Sequence, residues 1–134
     1  SLVRIIYTHQ FFAVMQSSQM SKMNRDIHSE QLLNIASINR EFRAIAAINN
    51  WQSYHTPKNL AAAIAVEASE LLAEFQWLTA EDSKALTQKQ KSRVADEVAD
   101  VIMYLTELCA QLNINMADAV QTKIDKNKQR FQKI

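Results

Sequence analysis

The stretch VEASELLAEFQW at residues 66–77 sets three acids, Glu67, Glu70 and Glu74, among Val66, Leu71, Leu72, Phe75 and Trp77. On a helix, at about 100° per residue, the three glutamates fall within an arc of about 60°. Leu60, Ile64, Leu71 and Leu78, at i−7, i−3, i+4 and i+11, all fall within about 60° of Glu67. Glu67 therefore sits inside an apolar stripe instead of opposite it. The remaining side is mostly Ala61, Ala62, Ala65, Ala68 and Leu72, which predicts a helix over about 59–78 that is buried on most faces.

The arrangement recurs in RVADEVADVIMYLTEL at 93–108. Glu97 has Val94 at i−3, Val101 at i+4 and Leu108 at i+11, and Asp100 stands at i+3, as Glu70 stands to Glu67. Acid pairs at i, i+3 are common on solvated helix faces, and charged residues are mostly exposed. Interleaving with leucine, isoleucine and valine argues against that plain reading here. Ionised carboxylates facing a core are costly unless paired or bound to cations, and the basic residues on these faces are too few to neutralise four acids. A hard divalent cation resolves the conflict. Oxygen-only ligands favour Mg²⁺ or Mn²⁺, with Ca²⁺ a poorer fit to a rigid helical cage. A di-iron bundle calls for E-x-x-H pairs, and none of His9, His28 or His55 follows a glutamate by three. Zinc is weaker still, because the one cysteine and the scattered histidines lack ligand spacing.

The rest of the chain is consistent with helices. Its 134 residues, 48% hydrophobic and 22% charged, suit one globular domain, and 15 basic against 14 acidic side chains give a net charge of +1 with no global field for nucleic acid or an anionic membrane. Glycine is absent and Pro57 is the one proline, which disfavours tight-turned strand folds and excludes a glycine-rich phosphate loop. Cys109 has no internal disulfide partner and reads as a small core residue, as in a reducing cytoplasm. No apolar run is long enough for a membrane span. The opening SLVRIIYTHQFFAVMQSSQMSKMN is a poor signal peptide, broken by Arg4, His9 and Gln10.

Residues 1–29 are read as an N-terminal extension, either non-native, dispensable for function (Met20 and Met23 are alternative starts) or packed as an extra helix; residues 30–134 are read as a single helical domain. Leu32, Ile35, Ile38, Phe42 and Ile45 predict a first helix ending near Asn49 and Asn50. WQSYHTPKN at 51–59 forms a loop before the acid-bearing helix. Thr79 and Asp82 have capping-box spacing and predict a short turn; Thr87 and Gln90 repeat the signal and open a helix running to about Leu112. Asn115 is a candidate N-cap for a last helix whose buried side is Met116, Ala119, Val120, Ile124 and Phe131. The expected fold is all-α, a bundle of four main helices.

EASE at 67–70 and EVAD at 97–100, with 26 residues between them, resemble the E-x-x-E…E-x-x-D signature of the all-α, MazG-like nucleoside triphosphate pyrophosphohydrolases. WQSYHTPKNL at 51–60, FQW at 75–77, DVIMYL at 100–105 and KIDKNKQRF at 123–131 look like the dCTP pyrophosphatase branch. The resemblance spans about residues 31–132 and is more specific than the acid pairs alone. It implies that Glu67, Glu70, Glu97 and Asp100 bind Mg²⁺ and form the catalytic centre. It further implies that Trp51, His55, Trp77 and Tyr104 line the nucleotide pocket, and that Lys123, Asn127 and Arg130 approach the phosphates. Glu74 departs from the branch's pattern and is either an outer acid of the site or a bystander at the helix edge.

The implied reaction splits a nucleoside triphosphate, dCTP or a related or modified deoxynucleotide, into monophosphate and pyrophosphate, a nucleotide-pool house-cleaning step in the cytoplasm. The resemblance also implies a homotetramer, a dimer of dimers, or a dimer, with pockets that include a neighbouring chain. Carboxylate-held Mg²⁺ suits this chemistry because phosphoryl transfer needs positioning and electrostatics more than a covalent nucleophile. One of the four acids, or Glu74, would orient or deprotonate the attacking water. Each pocket residue has a plainer reading as well. Trp51 and Trp77 serve equally as core anchors, Tyr104 as a brace for Asp100 at i−4, and His55 as ordinary loop. Lys58, Lys126 and Lys128 read as solvated. The reading from a different class is a non-enzymatic helical oligomerisation or regulatory module in which the acids form interhelical ion pairs.

Overall fold

The structure, a computed structural model, describes residues 33–132. The expected extension over 1–29 lies outside the described residues, as does Leu32. Four α-helices follow one another: α1 (Ile35–Ile48), α2 (Pro57–Ala73), α3 (Gln88–Gln111) and α4 (Met116–Phe131), with 3-10 turns at Gln52–Tyr54 and Asp82–Lys84. Among the described residues there is no strand.

Local chemistry sets the helix ends. Thr56 caps α2 by accepting the Asn59 N–H at 3.3 Å, and Pro57 occupies the first turn, where its missing N–H costs nothing. Both halves of the Thr87–Gln90 capping box form at the start of α3, at 3.3 and 2.8 Å. The Asn115 side chain caps α4 through the Asp118 N–H at 3.0 Å. Before the second 3-10 turn, the Thr79 hydroxyl accepts the Asp82 N–H at 3.1 Å. Two helices end in the same way. Asn50 (φ 57°) and Asn113 (φ 53°) take the left-handed conformation, and the next N–H reaches back five residues, Trp51 to Ala46 at 2.9 Å and Ile114 to Cys109 at 2.8 Å. This is the helix-ending motif that glycine usually serves; in a chain without glycine, asparagine takes the place at low cost.

α3 is the central helix and packs against both α1 and α2. α2 and α3 run antiparallel: Glu74, past the end of α2, pairs with Arg93 near the start of α3, while Glu67 and Glu70 meet Glu97 further along. Among the described residues few are buried, namely Phe42, Ala46 and Leu60 together with the polar Thr106 and Glu107. Burying Phe42 and Leu60 stabilises by roughly 1.5–3 kcal/mol each. Thr106 satisfies its hydroxyl within α3 by donating to the Met103 carbonyl at 2.7 Å.

Three sequence expectations are corrected. α2 ends at Ala73, not near residue 78, because the backbone tightens: Phe75, Gln76 and Leu78 donate to carbonyls three residues back instead of four. The alanine side of α2 is exposed in the single chain, as are Val66 and Leu72, so this helix is covered on one side only. The expected buried side of α4 is also exposed: Ala119, Val120, Ile124 and Phe131 face outward and only Met116 is half-buried. Among the described residues α1, α2 and α3 form the core and leave these faces uncovered. Cys109 is a free, half-buried thiol.

Candidate active site

Two helices, α2 and α3, bring acids together where their stripes face each other. One carboxylate oxygen each from Glu67, Glu70 and Glu97 lies within 4.8 Å of the others. Glu67 and Glu97 are half-buried and Glu70 is exposed, so the cluster opens to solvent on one side. Asp100 stands outside this trio but close enough for its charge to act on both Glu67 and Glu97.

The electrostatics are those of an uncompensated site. Burial, then the charges of Glu70 and Asp100, push the Glu67 carboxyl above the usual carboxylate range. Burial, again followed by Glu70 and Asp100, does the same to Glu97. The Oε2 atom of Glu97 is buried and has no hydrogen-bond partner among the described residues. Buried polar atoms are satisfied in the great majority of cases, and a lone one calls for an explanation such as a bound water or ion, or a catalytic role. The donor set, carboxylate oxygens only, has the chemistry of a hard divalent cation such as Mg²⁺ or Mn²⁺. The residues therefore fit the expected metal.

Glu74 has a different environment. Its Oε2 accepts from Arg93 Nε at 2.8 Å, so it forms an interhelical ion pair at the end of α2 and is not one of the trio. Its charge is still among those that raise Glu97.

Next to the acids lies an aromatic cluster. His55, in the loop after α1, stacks on Phe42 with ring centres 5.6 Å apart and 8° between the planes. Tyr104 meets Phe42 edge-on at 5.1 Å and His55 at 6.1 Å, and Trp51 lies tilted 6.5 Å from His55. Tyr104 joins the two halves. Burial, then the charges of Glu67, Asp100 and Glu70, raise its phenol above the ordinary value, which puts the hydroxyl end in the field of the acids while the ring belongs to the aromatic cluster.

Of the residues expected in the pocket, the structure thus gathers Trp51, His55 and Tyr104. Trp77 stands apart, 88% exposed beyond the end of α2. Lys123, Asn127 and Arg130 lie on exposed α4, and among the described residues no hydrogen bond or ion pair ties them to the acids; the Arg130 guanidinium rests over the Phe131 ring at 5.2 Å.

Sequence reasoning missed Phe42, Arg43, Glu107 and Gln111. Phe42 was legible only as an apolar position of α1. Glu107 is buried, 5% exposed, and saturated with donors: Arg43 Nε at 2.7 Å and Nη2 at 3.2 Å, Asn39 Nδ2 at 2.8 Å and Gln111 Nε2 at 2.9 Å. Burial alone would raise this carboxyl, but the donors from Arg43, Gln111 and Asn39 together hold it below the usual range. The signal available in sequence was register, since Glu107 and Gln111 continue the stripe of Glu97, Asp100 and Tyr104 at spacings of three and four.

Comparison with known proteins places this geometry. The model of the MazG-like family matches residues 62–133. Mouse dCTP pyrophosphatase 1 is 33% identical over 99 residues, 72% of this chain and 58% of that protein, and the human protein is 30% identical over 99 residues. The chain thus spans about 58% of the length of the curated relatives it matches. A crystal structure of a pyrophosphatase from Archaeoglobus fulgidus matches with a TM-score of 0.64 at 38% identity, covering 79% of this chain and 94% of that one.

Proposed function

Because the chain belongs to the MazG-like family, we propose that it is a nucleoside triphosphate pyrophosphohydrolase, converting a (d)NTP and water to the monophosphate and pyrophosphate. The observation that carries the reading is the acid trio from two helices, with a buried Glu97 oxygen that has no hydrogen-bond partner among the described residues. Glu67, Glu70, Glu97 and Asp100 hold Mg²⁺, with Mn²⁺ as a substitute. When bound, the ion neutralises triphosphate charge and lowers the pKa of a coordinated water.

The chain's own groups do the rest. The acids fix where the triphosphate can sit, and one of them takes the proton as water oxygen bonds to phosphorus and the α–β bridging P–O bond breaks. Phe42, His55, Trp51 and Tyr104 offer an aromatic wall for the base, to which Trp77 adds when the site is assembled. dCTP or a modified deoxynucleotide is the favoured substrate by resemblance to the dCTP pyrophosphatase branch, as is the house-cleaning role in the cytoplasm. Among the described residues no helix is long and apolar enough to cross a membrane. The exposed apolar sides of α2 and α4 support a homo-oligomer, a tetramer built as a dimer of dimers, in which α4 of a neighbouring copy brings Lys123, Asn127 and Arg130 toward the phosphates.

The ion-pairing module fares less well. It requires the four acids to pair with cations between helices, yet the two interhelical pairs among the described residues use Glu74 and Glu107. Product analysis with a panel of dNTPs and Mg²⁺ tests the proposal. Equimolar monophosphate and pyrophosphate are expected; release of orthophosphate, or no turnover of any dNTP, overturns it.

A further inference from the structure

We propose that Glu107 is a positioning residue. Through Gln111 it fixes the backbone at His55, and so holds the aromatic wall of the pocket at a set place relative to the metal-binding acids. The ligand, a nucleoside triphosphate, rests on the pyrophosphohydrolase reading; the tie itself does not.

Glu97, Asp100, Tyr104, Glu107 and Gln111 lie on one stripe of α3. At about 1.5 Å per residue, Glu107 stands about 15 Å along the axis from Glu97. α3 is thus a rigid ruler with the acids at one end and the Glu107 network at the other. Gln111 Nε2 donates both to Glu107 Oε1 and to the His55 carbonyl. Among the described residues this is the one hydrogen bond from the His55 loop to α3. The Tyr54 carbonyl, by contrast, is satisfied locally by Asn59 Nδ2 at 2.8 Å.

Packing does part of this work, since the His55 ring stacks on Phe42 and meets Tyr104 edge-on, but it does not fix the backbone on the Glu107 side. A pocket of about 230 Å³, lined by Arg43, Ala46, Gln52, His55, Glu107 and Gln111, adjoins the loop on that side, where the Gln111 bond to the His55 carbonyl is the directional tie to α3. The charge on Glu107 matters for the same reason. An ionised carboxylate only accepts, so it forces Gln111 to present its NH₂ and leaves the second N–H for the His55 carbonyl. A neutral amide at 107 accepts or donates and removes that constraint. Stability alone does not call for a buried ion pair, since well-packed apolar residues commonly serve as well.

The test uses Glu107→Gln and Gln111→Leu in the full chain, with Mn²⁺ and a dNTP panel. Both variants are expected to raise KM about tenfold, the scale of one lost hydrogen bond to a charged group, with kcat within about twofold of wild type. Mn²⁺ affinity, read by electron paramagnetic resonance, is expected to be unchanged. In the ligand-free protein, the His55 ring protons, shifted by stacking on Phe42, are expected to move toward unstacked values. A lower melting temperature with wild-type KM and unmoved His55 signals overturns the proposal in favour of a purely structural role, as does an equal loss of Mn²⁺ affinity. If wild type cleaves no dNTP, the functional reading falls, and the ligand-free His55 signal still decides the tie: movement supports it and no movement overturns it.

Discussion

Glu97 and Glu107 occupy the same stripe of the same helix, ten residues apart, and have opposite environments. Glu107 is enclosed by Arg43, Asn39 and Gln111, and these donors outweigh its burial and hold its carboxyl below the usual range. Glu97 has a buried oxygen with no partner, and burial with neighbouring acids raises its carboxyl. Glu107 is given its donors by the chain, whereas Glu97, in the proposed function, is left to be completed by a metal ion. The same contrast separates Glu74, paired with Arg93, from Glu67 and Glu70.

The comparison breaks most visibly at Glu97. Glu97→Gln is expected to lower kcat for dNTP cleavage by about two to three orders of magnitude, the scale of removing one preorganised electrostatic contact. The same change is expected to raise the melting temperature of the metal-free protein at neutral pH, because it removes a charge that the fold leaves unsatisfied. Steady-state kinetics and melting curves in chelator check the two effects, and a drop in metal-free stability would contradict the contrast.

Glu107→Ala is expected to act in the other direction. It strands Asn39 and Gln111 and frees Arg43, and denaturant titration is expected to show a loss of about 2–3 kcal/mol. The figure stays below that for a fully enclosed pair because the Arg43 side chain is half-exposed and turns to water.

The smallest effect is the pH dependence of the metal-free protein. Glu67 and Glu97 have raised carboxyls in the folded state, so their contribution is fully present below the ordinary glutamate range and lost as pH rises through their elevated values. Glu107 has the opposite sign: its contribution is present above the ordinary range and lost as pH falls through its depressed value. Melting temperature in chelator is therefore expected to fall as pH is raised above the glutamate range toward neutrality, and the fall is expected to vanish with added Mg²⁺ or in a Glu67→Gln, Glu97→Gln double variant. A flat profile in chelator would mean that burial and neighbouring acids do not raise the Glu67 and Glu97 carboxyls as described.

Much of this was legible in order along the chain. Helix starts at Gln88 and Met116 follow from Thr87 and Asn115, because capping is decided by a side chain and the N–H two or three residues on, whereas α2 begins at Pro57 under a Thr56 cap, inside the stretch expected to be loop. The acid pairs were legible because i, i+3 spacing within an apolar stripe puts charge where a helix has a neighbour. The early end of α2 was not, since the apolar pattern continues through Phe75 and Leu78 while the backbone changes to tighter turns. The exposed side of α4 was misread because amphipathic spacing says that a face wants cover, not which molecule supplies it.

The sequence by itself determined an all-α chain, the capped starts of α3 and α4 and the two acid pairs within apolar stripes, since these depend on residues within one or two helical turns. Only the tertiary structure decided which acids meet: Glu67, Glu70 and Glu97 as an open trio, Glu74 with Arg93, and Glu107 with Arg43 and Asn39. The physical reason is that a carboxylate's character depends on the donors within about 3 Å of it, and for these acids the nearest donors or fellow acids come mainly from another helix, tens of residues away in sequence.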